Sequence, residues 1–563
     1  NNLGRTISFS QSSQIGTGGT VTSSSGQSVA IAKDGVNFAV TDAVGKVWRY
    51  NDENGVFDVR TPLFPHDPIL KAEYSGGGLG AVDKVYDAMG RATVYNIGGG
   101  RVSSVVDPLG NATRTYHDAN GNVVKVVDPL GRASMTEYDN LRRKKKVIAP
   151  EGNSEEYAYD ARSNPIQTTV RPKTGSALAP IVTSATYDTL CNVPLTETDA
   201  LGRVTTTTIN QTTCLATQIA GPAVGGTSPI TTLTYNDKGQ VTQKTDPTGL
   251  VTQMIYDSAG NVTSVVVDPG ASNVAATTLF AYDAAGNVIS LTDPRGNVHT
   301  GTYDALRRLT QYTGPTGTNV QTTGTYNDDG LVTQIAQGTG AGNPPAVTSY
   351  AYWPTARVRT MTDPDGRVTR YDYDLANRLT FTTDGENRRS QKVYDPAGQV
   401  IEDRKAVGTS LEQVYAQFAY TPNGKQLWVK DAKANQTTYL YDGFDRLSRT
   451  TFPDATYEEM SYDAIGNVLT KRARNAQTMV NTYDALDRML SHLTPQPGGA
   501  AAITTSFTYD LAGRPLSVTD SEGNGVVNSY DTAKRLISVA QTFAGLSGAR
   551  TLAYQYDAAG NRT

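Results

Sequence analysis

Nowhere along the chain do apolar residues recur at the three-to-four-residue spacing of an amphipathic helix over a useful length. Short runs of β-branched and aromatic residues occur instead, as in Val262-Thr263-Ser264-Val265-Val266-Val267. Such residues suit a pleated, half-buried surface, so each run predicts a strand. Between the runs stand polar tetrapeptides of the form Asp-x-x-Gly. One set carries proline: Asp107-Pro108-Leu109-Gly110, Asp128-Pro129-Leu130-Gly131, Asp246-Pro247-Thr248-Gly249, Asp293-Pro294-Arg295-Gly296 and Asp363-Pro364-Asp365-Gly366. The other follows a tyrosine, as in Tyr282-Asp283-Ala284-Ala285-Gly286. The aspartate can bond the backbone two residues on, proline pre-sets φ, and glycine accepts a left-handed fourth position. Each tetrapeptide therefore predicts a tight hairpin turn.

The Tyr-Asp pair recurs at Tyr256, Tyr282, Tyr303, Tyr373, Tyr394, Tyr441, Tyr462, Tyr483, Tyr509, Tyr530 and Tyr556. Several intervals are 21 residues (Tyr282 to Tyr303, Tyr441 to Tyr462) and others 26 (Tyr256 to Tyr282, Tyr483 to Tyr509). Earlier copies stand at Tyr86, Tyr138, Tyr159 and Tyr187, and degenerate ones at Tyr116, Tyr235, Tyr326 and Tyr420. The extra residues fall in Pro/Gly/Ser/Thr/Ala-rich stretches at 269–278, 313–324 and 495–503, with similar stretches at 171–180 and 221–229. These predict longer hairpin loops along one rim of a sheet. A tyrosine at the same strand end in every unit predicts a ladder of half-buried rings with wet hydroxyls. Residues 1–80 differ, being partly Ser/Gly-rich, with a strand, a turn at 42–45 and a strand within 36–50. They read as an N-terminal β cap or lead-in segment, and 81–563 as the repeat array.

Composition then decides the architecture. Only 38% of the 563 residues are apolar, against 54 Gly, 26 Pro and 31 Tyr. That is too polar for a thick core and too rich in strand formers for a disordered chain. The array holds on the order of 25 units and twice as many strands, whereas open twisted sheets rarely exceed about ten strands without curling or closing. The expectation is an all-β fold: one long spiralling antiparallel sheet of about 21-residue hairpins, wrapped into a hollow β-shell, cocoon or barrel. Side chains cannot fill a lumen that wide.

A net charge of −4 gives no nucleic-acid footprint. The one basic run, Arg142 to Lys146, reads as a solvated strand and turn, with binding of nucleic acid or an acidic glycan as the rival reading. No apolar stretch is long enough for a membrane span, and no signal peptide is visible in the sequence, which begins with Asn1 rather than Met. His66, His117, His299 and His492 are isolated and read as ordinary strand or surface residues. The segments Asp118-Ala119-Asn120-Gly121-Asn122 and Asn327-Asp328-Asp329-Gly330 resemble calcium loops only faintly, lacking the downstream Glu. Gly76 to Gly78 and Gly98 to Gly100 open no phosphate loop. No catalytic, cofactor or metal site is predicted, and the chain is expected to be non-enzymatic. Cys191 replaces the glycine of a Tyr-Asp turn, and Cys214 lies 23 residues on, near the equivalent turn of the next unit. Either the neighbouring turns bring them into bridging range, which favours an extracellular setting, or they are two free buried thiols.

The motif Tyr-Asp-x-x-Gly-Asn/Arg is clearest at Tyr282 to Asn287, Tyr462 to Asn467, Tyr509 to Arg514 and Tyr556 to Asn561. With Asp-Pro-x-Gly and the 21-residue interval, it resembles the Rhs or YD-repeat proteins over residues 36–563. The resemblance implies a sheet spiralling around a hollow lumen. In polymorphic toxins and the C components of insecticidal toxin complexes, such shells hold a C-terminal toxic domain. Wall-associated bacterial proteins and the animal teneurins carry related repeats at cell surfaces. A toxin-bearing member is expected to close its repeats with an aspartyl self-cleavage segment and a variable toxin. This sequence runs to Thr563 in mid-hairpin, so the array is expected to be truncated in mid-repeat. The resemblance implies a secreted or bacterial cell-surface location. It also implies one of three partners: an encapsulated polypeptide cargo, further copies in a fibre, or cell-surface glycans. The alternative role is a surface adhesive or fibre-forming structural protein without cargo.

Overall fold

In the computed structural model, the chain forms one sheet of 49 strands among the described residues. These are all residues except 1–6, 12–17, 24–27, 35–36, 42–46, 54–55, 61–69, 75–81, 97–100, 271–273, 316–319 and 339–343. Every strand pairs antiparallel with the strand before it and the strand after it, so the sheet is a single uninterrupted meander. The pairing runs through residues 7–74 and into the array without a change of pattern. Strands Asn37–Thr41 and Val47–Glu53 pair as expected within 36–50, while the turn expected at 42–45 lies outside the described residues.

The turns form for the reasons their sequences suggest. The Asp283 carboxylate accepts the backbone N–H groups of Ala285 and Asn287, each at 2.9 Å. The Gly286 N–H closes the turn onto the Asp283 carbonyl at 3.0 Å with φ 84°. The register slips by one residue between Ala281 and Tyr282, so each tyrosine sits at a β-bulge beside its turn. Where glycine is absent, Asn377 and Asp487 take the same left-handed position, both at φ 63°.

Successive turns alternate between two rims of the sheet. One, the tyrosine rim, carries turns such as 283–287, 442–446 and 484–488. The other, the proline rim, carries 107–111, 128–132, 246–250 and 293–297. All the expanded loops expected from the sequence lie on the proline rim, with 271–273 and 316–319 outside the described residues.

The sheet closes by curling until these rims meet. Arg91 Nη1 donates to the Asp374 carbonyl at 2.8 Å, and Arg132 Nη1 to Gln399 Oε1 at 2.7 Å. Arg203 Nη1 donates to Asp487 Oδ1 at 2.9 Å, Arg514 Nη2 to Thr248 Oγ1 at 2.7 Å, and Thr532 Oγ1 to Asp268 Oδ2 at 2.6 Å. Arg295 pairs with Asp557 at 3.3 Å. In each case the proline rim of a first coil touches the tyrosine rim of a second, 23 or 25 strands further on. With roughly 4.8 Å per strand, 23 strands make a circumference of about 110 Å, or about 35 Å across between backbones.

The result is a hollow shell one sheet thick. Its accessible surface is 31291 Å², where a compact protein of 60.1 kDa would expose about 19,000 Å². Among the described residues, Ala72, Ala416 and Pro229 are the buried apolar side chains. The two faces of the wall differ. Leu279 and Leu440, opposite the tyrosines, are 46% and 52% exposed, whereas Leu233 and Leu291 on the tyrosine face are half-buried. Side chains converge on the concave side of a closed sheet and spread on the convex side. The tyrosine face, which also carries Met254, Phe280, Phe418 and Phe507, is therefore the one turned to the lumen.

Candidate functional site

The eleven repeat tyrosines occupy equivalent places on the tyrosine rim, and ten of them make the same bond. Tyr462 donates its hydroxyl to the Leu447 carbonyl at 2.6 Å, Tyr303 to Val288 at 3.0 Å and Tyr556 to Leu536 at 2.7 Å. Tyr256, Tyr282, Tyr394, Tyr441, Tyr483, Tyr509 and Tyr530 follow suit, and Tyr373 does not. The acceptor is always the first residue of the preceding strand. Pairing between those two strands stops at Arg449↔Glu459, short of Leu447, so that carbonyl has no ladder donor and the hydroxyl supplies one. The expectation of wet hydroxyls is thus corrected: they tie one hairpin to the next. Burial accordingly pushes the Tyr282, Tyr394 and Tyr462 phenols above their usual pKa.

The expected ladder of rings is modified at six joints, where an arginine packs against the next tyrosine. Arg446, the residue after its turn, bonds Asp442 at 2.7 Å through Nε. Its Nη1 reaches forward to the Asp463 carbonyl at 2.6 Å, and its guanidinium lies 4.8 Å from the centre of the Tyr462 ring. Arg143, Arg308, Arg378, Arg488 and Arg535 repeat the arrangement over Tyr159, Tyr326, Tyr394, Tyr509 and Tyr556. Cation–π contact and charge-assisted bonding thus join turn to turn wherever the turn ends in one of these arginines. The Asn/Arg after each turn was visible in the motif, but nothing local assigns it a partner about 20 residues on.

The rim also has one covalent tie. Cys191 and Cys214 are joined in a disulfide, with Cα atoms 5.3 Å apart. They belong to neighbouring tyrosine-rim turns, 188–193 and 210–215, and the second of these is preceded by Ile209 rather than a tyrosine. The bridge therefore stands at a joint that has no hydroxyl to close it.

The remaining candidate residues have ordinary partners. His299 Nδ1 lies 2.6 Å from the Tyr312 hydroxyl, and His492 Nδ1 lies 2.7 Å from Asn481 Oδ1. His117 takes the tyrosine position ahead of Asp118, and His66 lies outside the described residues. The calcium-like segments are turns: Asp118 Oδ1 accepts from Asn120 and Asn122, and Asn327 Oδ1 from Asp329 and Leu331. No His/Cys/Asp/Glu group among the described residues is arranged to hold a metal, and no helix among them is long and apolar enough to cross a membrane. Gly76 to Gly78 and Gly98 to Gly100 lie outside the described residues. In the basic run, Lys144 and Lys145 are exposed, Lys146 pairs with Glu156 at 3.1 Å, and Arg143 serves the rim.

Comparison with known proteins agrees with this geometry. The RHS Repeat family matches residues 95–133, 235–272, 282–318 and 352–389. A double-stranded DNA deaminase toxin A of Burkholderia cenocepacia (strain H111) is 33% identical over 121 residues, which is 22% of this chain and 8% of that toxin. Among solved structures, TcdB2-TccC3-Cdc42 covers 99% of this chain at a TM-score of 0.59 and 14% identity, with this chain spanning 35% of its length. TcdB2-TccC3-TEV covers 95% at 0.57 and 14% identity, again with 35% of that chain spanned. A Photorhabdus luminescens Tc holotoxin pore covers 95% at 0.53 and 15% identity, with 36% of that chain spanned.

Proposed function

Because this chain is an RHS-repeat protein folded as a hollow shell, we propose that it is the wall of a container for a polypeptide cargo. The observation that carries this reading is the closure of two stacked coils around a lumen whose lining is the aromatic and apolar face of the sheet. A chain in transit exposes apolar side chains that such a lining can cover. The wall itself acts as a scaffold rather than a catalyst, since the repeat-motif aspartates are held in turns and His299 and His492 by sheet neighbours. The disulfide favours a secreted or cell-surface setting, because thiols stay reduced in most cytosols. The toxins among its relatives make a toxic cargo the first one to look for.

Electron microscopy of the purified protein tests the container. A wall of these dimensions has a radius of gyration near that of a compact protein of this length, about 24 Å. The telling feature is therefore the dark centre rather than the size. Closed rings with low central density are expected. Filaments would support the fibre role instead, and solid particles would refute the shell. Protection of a co-purifying polypeptide from added protease, lost when the wall is denatured, tests the cargo.

A further inference from the structure

We infer that the proline-rim loop at 172–176 is a latch: seated against the second coil, it holds the seam shut over this sector, and its release opens the wall there. Most proline-rim turns are tetrapeptides, but here the chain runs on from strand Pro165–Arg171 to strand Ile181–Tyr187 through an expanded loop. The Lys173 N–H donates to the Gly443 carbonyl of the second coil at 2.8 Å, a backbone bond across the seam outside any strand ladder. Lys173 Nζ bridges Glu151 of its own coil at 3.0 Å and Asp445 of the second coil at 2.6 Å. Burial works against that ammonium, yet the hydrogen bonds from Asp445 and Glu151 outweigh it and raise its pKa.

The residues around the loop are shaped to receive it. A Cβ at Gly443 would stand 2.6 Å from Pro172 Cβ and 2.5 Å from Ser176 Oγ, so glycine is needed there for room. Its φ is not left-handed. On the other side, Thr174 Oγ1 lies 3.2 Å from where a Cβ of Gly152 would stand. Asp445 is the hub of the clamp. Besides Lys173 it accepts from Asn153 Nδ2 at 3.1 Å and Asn423 Nδ2 at 2.7 Å. Asn423 also bonds the Glu151 N–H at 3.0 Å and Asn153 Oδ1 at 2.8 Å. Three turns from both coils thus converge beneath one loop, while residues 177–180, which lead away from it, are exposed.

The seam lacks the backbone ladder that holds the rest of the sheet, so it is the wall's weakest line. The loop concentrates that seam's bonds in one place. The inference concerns the wall and holds whether or not the lumen carries cargo.

Two variants of the full chain test it by hydrogen exchange. Gly443→Val leaves no room for Pro172 and Ser176. A protease site replacing 177–179 allows the loop to be cut after folding. Unseating or cutting should speed exchange at turns 149–153, 421–425 and 442–446 by about tenfold or more. The Arg295–Asp557 end of the seam and the strand ladders should keep their protection. The uncut protease-site variant should match the parent. Unchanged exchange in both variants would overturn the latch. Loss of protection throughout the sheet would overturn it too, since the loop would then be part of the global fold rather than a local fastening.

Discussion

The two rims of the wall are built from the same turn and hold different things together. On the tyrosine rim most turns are tied to the next by a hydroxyl, an arginine or, once, a disulfide. On the proline rim the turns reach across to another coil, and this is where every expanded loop lies. The contrast teaches where a repeat must stay regular. A tyrosine must meet a carbonyl at a fixed place one hairpin back, so additions there stay small: turns 188–193 and 210–215 each carry one extra residue, and these two are the pair joined by the disulfide. The proline rim meets a surface 23 or 25 strands away, and a loop of another length can find new partners on it.

The largest effect should follow from breaking the regular rim. Tyr462→Ala removes a half-buried ring, its bond to Leu447 and the surface under Arg446, and should cost about 3 kcal/mol. Tyr462→Phe, which keeps the ring, should cost about 1 kcal/mol. Denaturant unfolding measures both, and equal losses would show that the hydroxyl tie is idle.

The disulfide should come next. Closing a loop of 23 residues should contribute about 3 kcal/mol by chain entropy, less where the unfolded chain stays compact. Mass spectrometry of a non-reduced digest should find the Cys191–Cys214 linkage, and reduction should loosen turns 188–193 and 210–215 first. Finding both thiols free would remove the covalent tie from the rim.

Acid should act on the turn aspartates of both rims. Burial raises the Asp484 pKa, but bonds from the Arg488 side chain and backbone and from the Leu486 N–H outweigh it and hold the carboxyl below its usual range. Bonds from Asn164 do the same for Asp160, and bonds from the Arg388 side chain and backbone for Asp384. A folded pKa below the unfolded one gives stability that is complete above the unfolded value, near 4, and lost as pH falls through the folded value. The melting temperature should therefore be flat from neutral pH to about 4 and drop below it. Asp484→Asn, on the crowded tyrosine rim, should cost about 1–2 kcal/mol at neutral pH and flatten the acid limb. Asp384→Asn, on an exposed proline-rim turn, should cost less.

The smallest effect is expected in the irregular rim. Replacing the 3₁₀ turn Pro497–Gly499 and its flanks by a tight Asp-Pro-x-Gly turn should change stability by less than about 0.5 kcal/mol. A loss like that of Tyr462→Ala would erase the distinction between the rims.

How much of this could be read from the sequence depends on how far each interaction reaches. Strands, turns, the side of the expanded loops and the need to wrap all follow from local rules: residue type, turn chemistry and the limit on open sheets. The tyrosine was placed correctly at a strand end, but its hydroxyl was misjudged. The free carbonyl at Leu447 exists only because pairing with the next strand stops early, and no residue type announces that. Arg446 was visible in the motif, yet its target, Asp463, lies 17 residues on. The seam was invisible. Lys173 meets Asp445 only after a whole coil has turned, and that length is the sum of many small twists. Gly443 was the one available hint, since it stands at the second place of its turn, where no left-handed φ is needed.

The numbers 23 and 25 are both odd, and parity limits how such a wall can change length. A proline-rim turn can meet a tyrosine-rim turn only across an odd number of strands, because successive turns alternate between rims. Adding or deleting a whole hairpin preserves that parity and slides the second coil by one turn over the first. Adding a single strand would exchange the rims beyond it, so that proline-rim turns faced proline-rim turns along the rest of the seam. The heritable unit of growth is therefore the pair of strands, and gene duplication in steps of one hairpin can lengthen the container while every joint finds its counterpart.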